Sequence, residues 1–253
     1  MDPKNNFVID IDGDPMININ GTKQWYQNGL LHRDNDLPAV IWSDNIKEWY
    51  QNGQRHRDDD LPAIIWPDGS QEWYQHGQLH RDNDLPATIC SDGINGKSSQ
   101  CWYHYGQLHR DNDLPAIICS DGINGKSTQK WYQHGQLHRD NDLPAAIWLD
   151  GPQIWYQNGH RHRDNDLPAA IWFDGLQKWY QNGQLHRDND LSAIIYSDGS
   201  QEWYENGRQL TDNEVKIIIK HKLWQTENHN NNFFQWMPIE MNNITNELLK
   251  TNE

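Results

Sequence analysis

The residues with the most chemistry in this chain come as a repeated set. His-Arg-Asp-x-Asp-Leu stands at 32–37, 56–61, 80–85, 109–114, 138–143, 162–167 and 186–191. Each copy offers one imidazole and two carboxylates: His32, Asp34, Asp36; His56, Asp58, Asp60; His80, Asp82, Asp84; His109, Asp111, Asp113; His138, Asp140, Asp142; His162, Asp164, Asp166; and His186, Asp188, Asp190. In an extended segment alternate side chains share a face, which points His32, Asp34 and Asp36 one way and Arg33 the other. Two chemistries suit such a set. One is a polar ladder, with Asp capping loop amides, Arg gripping a carboxylate of the adjacent copy, and His donating to Asp so that its tautomer is fixed. The other is a divalent cation, zinc or calcium, held by the histidine and two carboxylates. The ladder is preferred, and no cofactor is expected, because a guanidinium inside the motif competes for the same oxygens. A second set, Cys90, Cys101, His104 and Cys119, has the composition of a zinc site. Its simpler reading is that cysteine replaces an aromatic residue and packs as a small apolar side chain.

Neither set looks catalytic. An active site is singular, whereas seven equal copies indicate repeated structure or repeated binding. His-Arg-Asp also occurs in kinase catalytic loops, but no Gly-rich phosphate loop or Asp-Phe-Gly accompanies it here. Asp10 to Asp14 is too short for an EF-hand loop. The net charge of −15 repels phosphate backbones and anionic membranes, leaving basic proteins or cations as partners. Three cysteines are not a disulfide framework. The first residues lack the basic and apolar regions of a signal peptide, and no apolar run reaches the ~20 residues of a membrane span. A cytoplasmic protein is expected.

The elements that carry the motif follow from a period. Trp-Tyr begins at 25, 49, 73, 102, 131, 155, 179 and 203. The spacing is 24 residues, or 29 where SDGINGKS replaces a short turn such as PDGS. An insertion accepted twice at one place marks an exposed hairpin tip. Asn-Gly after each Trp-Tyr is a hairpin signal, since a type I′ turn needs positive φ at both central residues. His76, Tyr105 and His134 replace that Asn, while the Gly stays constant. Between turns lie short β-branched and aromatic runs, such as AIIWS and QEWYQ. With a two-residue turn, Trp25 stands across from His32 and Tyr26 from Leu31. The expected fold is all-β: tandem β-hairpins in an antiparallel meander, with a short C-terminal capping segment for which a helix is one option.

The segment WYQNGQRHRDDDLPAIIWPDGSQEWY resembles the MORN repeat, as a divergent variant with Arg-Asp-x-Asp-Leu-Pro in place of the family's Gly-x-Gly. Arrays with HRD-x-D-LPA are similar to repeat proteins of giant DNA viruses of amoebae, which would place the chain in host cytoplasm or virion. The resemblance implies a hairpin array that serves as a scaffold or self-associating surface and is not an enzyme. Three regions are expected: an N-terminal cap with a degenerate half-repeat (1–24), the array (25–210), and a C-terminal cap and tail (211–253). In the tail, Val215 to Trp224 reads as one more strand or a capping segment, and Pro238 to Lys250 as a short helix. The expected function is protein–protein interaction or structural assembly, with self-association through sheet edges or faces.

Overall fold

The computed structural model describes residues 15–91, 98–120 and 127–229. The chain divides into two compact units between Arg208 and Gln209. The first unit holds one sixteen-stranded antiparallel sheet, whose strands neighbour one another in chain order, and eight two-stranded hairpins.

One repeat shows how the sequence builds this. Val40–Ile41 runs out to a tip and Lys47–Glu48 returns, with Val40 opposite Glu48 and Ile41 opposite Lys47. The chain then passes Trp49 and enters a hairpin of Tyr50–Gln51 and Gln54–Arg55. Trp49 is the junction. Its N–H donates to Ala63 O (2.8 Å), and its carbonyl accepts from His56 N (3.2 Å). Here the strand leaves the main sheet. As expected, Tyr26 faces Leu31, and His32 N reaches Trp25 O.

The two turns of each repeat use left-handed residues differently. Asn52 and Gly53 have φ of 49° and 79°, positive at both positions as a type I′ turn demands. At the tip, Gly69 N donates to Trp66 O, and Trp66 N to Ser70 O. That is a three-residue loop with Gly69 (φ 88°) as its left-handed residue. Where Asn45 replaces this Gly, it keeps φ at 70°. In the two longer repeats the tip strands have four residues instead of two, as in Thr88–Ser91 and Ser98–Cys101. The insertion therefore extends the hairpin outward and leaves Thr88 paired with Cys101 at its base.

The core is a row, not a ball. Ala39, Ala63, Ala87, Ala116, Ala145, Ala169 and Ala193 are fully buried, and Trp49, Trp73, Trp102, Trp131, Trp155 and Trp179 are 5–7% exposed. Each alanine carbonyl accepts from the backbone N–H of the tryptophan before it, as Ala87 O does from Trp73 N (2.8 Å), so the two rows are bonded along the array. Adjacent hairpins are also bonded directly, Gly53 N to Leu31 O at 2.8 Å.

The second unit contains helix α1, Asp212–His229. Of the two readings of Val215–Trp224, the strand is excluded, and the helical C-terminal segment expected beyond the array is present. The β-branched run Ile217–Ile219 favours a strand, but a capping box outweighs it. Thr211 N donates to Glu214 Oε2 (2.6 Å), and Glu214 N to Thr211 Oγ1 (3.4 Å). No Gly or Pro interrupts the chain between Gly207 and Pro238. The helix expected at Pro238–Lys250 and the N-terminal half-repeat around Asp12 lie outside the described residues. Among the described residues, no helix is long and apolar enough to cross a membrane.

Candidate functional site: a repeated loop at every unit junction

The His-Arg-Asp-x-Asp-Leu loops are not extended. Asn35 and Asp36 have φ of 63° and 53°, and Leu37 N reaches back to Asp34 O. The loop is a tight reverse turn, which corrects the expectation that His32, Asp34 and Asp36 share a face. The turn separates the two carboxylates and gives them different partners.

The second Asp is gripped by the following repeat. Arg57 Nε and Nη2 donate to Asp36 Oδ1 and Oδ2 at 2.7 and 2.8 Å. The third arm of the fork, Nη1, donates to Pro62 O (3.2 Å), and the guanidinium carbon lies 3.8 Å over the Trp49 ring. Trp49 Nε1 in turn donates to Asp36 O (3.1 Å). Arginine can do this because its planar fork stacks and donates bidentately at once. The same clamp joins Arg81 to Asp60, Arg110 to Asp84, Arg139 to Asp113, Arg163 to Asp142 and Arg187 to Asp166. Trp203 Nε1 donates to Asp190 O.

The first Asp stays with its own histidine. His56 Nε2 lies 3.0 Å from Asp58 Oδ1, and Gln51 Nε2 donates to Asp58 Oδ2 (2.7 Å). The other nitrogen links repeats, since Asn52 N donates to His32 Nδ1 of the preceding unit (3.1 Å). A backbone N–H can only donate, so Nδ1 carries no proton and Nε2 does, donating to Asp34. The pattern recurs at His80 with Asp82, His109 with Asp111, His138 with Asp140, His162 with Asp164 and His186 with Asp188.

The electrostatics follow from these bonds. The Arg57 fork holds the Asp36 carboxyl below the usual range, and Arg110 and Arg139 do the same for Asp84 and Asp113. Gln51, then His56, lowers Asp58; Gln75 and His80 lower Asp82 likewise. The clamping arginines are only 13–15% exposed, whereas the histidine-paired carboxylates are 61–81% exposed. The positive charge lies flat inside, and the negative charge faces solvent. Clefts of about 240–300 Å³ lie between the second and third, fourth and fifth, and sixth and seventh loops, each with a leucine on its wall: Leu61, Leu114 and Leu167.

The cysteine set is not assembled. Cys90 and Cys119 are exposed, and both face Ser99 across the sheet from opposite sides, so they stand two strands apart. Cys101 pairs with Thr88 and Ile117, and burial pushes its thiol up. His104 sits beyond Trp102 on the Tyr103–His104 hairpin strand, where its ring meets His80, Tyr105 and His109. Cys90 and Cys119 occupy the position that Trp42 and Trp66 hold in other repeats. Among the described residues, no group of three or more His, Cys, Asp or Glu side chains is gathered to hold a metal ion.

Two features escape a reading of the motif alone. Glu48 is buried and accepts from Trp42 Nε1 (2.8 Å), Tyr50 OH (2.7 Å) and Arg55 Nε (3.2 Å). Burial and the Glu48 carboxylate push the Tyr50 phenol up to about 12. The only sequence signal is Arg55 where Leu31 and Leu79 stand elsewhere. The other feature explains the turn substitutions. His76, Tyr105 and His134 keep the left-handed φ (46–49°), and their rings stack on His56, His80 and His109 of the preceding repeat at 4.3–4.9 Å.

The fold and the loops define a tandem β-hairpin repeat protein whose units are joined by polar clamps. No family model matches the chain, and no curated protein matches it either.

Proposed function

We propose that this chain is a non-enzymatic repeat scaffold, a divergent MORN-like array that presents a periodic surface for protein–protein interaction or assembly. The observation that carries this reading is how the invariant polar residues are used. The arginine fork, the gripped carboxylate and both histidine nitrogens are engaged in bonds within or between repeats. That chemistry favours a regular spacing between units over turnover of a substrate. What remains for a partner is what the loops repeat outward, one exposed carboxylate and one half-exposed leucine per unit.

Affinity capture by the full chain tests the role. A scaffold should return a protein partner that is lost when the leucines and exposed aspartates of the loops are replaced in a chain that stays folded. Capture unaffected by those replacements, or multiple-turnover chemistry on a substrate panel that depends on the loop residues, would overturn the reading.

A further inference from the structure

The clefts between loops have two unlike walls. In the first, Leu61 is 38% exposed, while Asp58 and Asp82 are 68% and 65% exposed at the rim. Leu114 and Leu167 repeat the arrangement at 38% and 39%, beside Asp111 and Asp164, and at the junctions between them Leu85 and Leu143 are 38% exposed beside Asp82 and Asp140. The two arginines that line the first cleft, Arg57 and Arg81, are turned inward against Trp49 and Trp73 and bound to Asp36 and Asp60. Each cleft therefore shows a partner an apolar patch beneath an uncompensated negative rim, on a chain of net charge −15.

We infer that the row of loop junctions, three of them opened into these clefts, is a docking track for an extended, basic segment of a partner protein, with one Lys or Arg side chain at each junction. This rests on the scaffold reading and names the partner's chemistry. A long basic side chain has an aliphatic stem and a charged head, so it can lay the stem on Leu61 and place the head between Asp58 and Asp82. Volumes of about 240–300 Å³ leave room for one such side chain with water.

The spacing selects the conformation of the partner. Each repeat adds two strands to the main sheet, so successive junctions between loops, each with its leucine and exposed aspartates, are roughly 9.6 Å apart. A polyproline-type segment rises ~3.1 Å per residue, which sets every third residue ~9.3 Å apart on one side. On an α-helix the nearest match is every seventh residue at ~10.5 Å. The helix loses register by about 1 Å per junction, the extended segment by only a few tenths. The track thus favours a segment with a basic residue at every third position. The negative rims would also speed encounter with such a segment.

Fluorescence anisotropy with the full chain and labelled peptides tests this. One peptide carries lysine at every third position, with proline and glutamine between. A second has the same composition with its lysines gathered in blocks. At about 0.1 M salt, the spaced peptide should bind at least about tenfold tighter. Leu114→Ser with Leu167→Ser should remove most of that advantage while leaving the far-UV spectrum unchanged. Equal affinity for the two peptides would reduce the effect to general attraction and overturn the proposal. So would an undiminished preference in the folded leucine variant. If that variant does not fold, the two peptides on the unaltered chain decide the matter. If neither peptide binds while affinity capture still returns a partner, the docking track falls and the scaffold reading stands.

Discussion

Arg139 serves two repeats at once. It stacks 3.8 Å over Trp131, donates to Pro144 O within its own repeat, and grips Asp113 of the one before. Asp113 is nearly half exposed, so the ion pair alone contributes little; the stacking and the buried donor to Pro144 contribute more. Arg139→Ala should destabilise by about 2 kcal/mol, and Arg139→Lys by about 1–2, since an ammonium lacks the fork. In a denaturation cycle with Asp113→Asn, a coupling of about 0.5–1.5 kcal/mol is expected. A coupling indistinguishable from zero would show the pair to be idle. The carboxylates also set a pH dependence. Asp36, Asp84 and Asp113 are lowered by arginine, and Asp58, Asp82, Asp140 and Asp164 by glutamine and histidine. A lowered carboxyl stabilises fully above its unfolded value near 3.9 and loses that contribution as pH falls toward its folded value. Urea midpoints should therefore be flat in the carboxylates' contribution above about pH 5 and drop steeply below about pH 4. A midpoint unchanged down to pH 3 would contradict the assignment.

Each loop spends two left-handed residues, and they are not equivalent. Asn112 (φ 59°) only turns the chain, whereas Asp113 (φ 54°) turns it and supplies the oxygens for Arg139. Asn112→Gly should be neutral or cost a few tenths of a kcal/mol, because glycine relieves the strain but loosens the unfolded chain. Asp113→Gly should cost about 1–2 kcal/mol despite the same relief, since the clamp is lost. Thermal unfolding of the two variants checks this, and the reverse order would refute it. The same residues show what the sequence could and could not reveal. Turns at Asn28-Gly29 and its counterparts were legible because glycine marks positive φ. The pairing of Arg with a neighbouring repeat's carboxylate, and of His with Asp, followed from donor geometry. The reverse turn in the loop was hidden because Asp113 stands where glycine would have signalled it. Its carboxylate is needed there, and that need becomes visible only once the arginine of the next repeat is in place. Helix α1 was obscured by Ile217–Ile219, although Thr211 and Glu214 carried the opposing signal.

At the scale of the array, no repeat closes a core by itself. Trp131 is 6% exposed because Asp113 of the previous repeat meets it as well as Ala145 of its own. Every junction between 24-residue repeats carries the same Arg–Asp clamp, so one unit can follow another. Copy number then becomes a free variable. Misaligned recombination between copies of the coding sequence yields shorter or longer chains whose new seam carries the same clamp as the old ones. Deleting residues 131–154 joins Lys130 to Trp155, and Arg163 then finds Asp113 where it had Asp142. Such a chain should fold with an unaltered β-rich spectrum and melt within a few degrees of the parent, because stability in arrays is a sum over neighbours. Deleting residues 135–154 instead shifts the phase and should leave the protein aggregated or unfolded. Equal behaviour of the two deletions would show that the junctions do not set the phase. Selection on such a chain can thus act on its length separately from its fold.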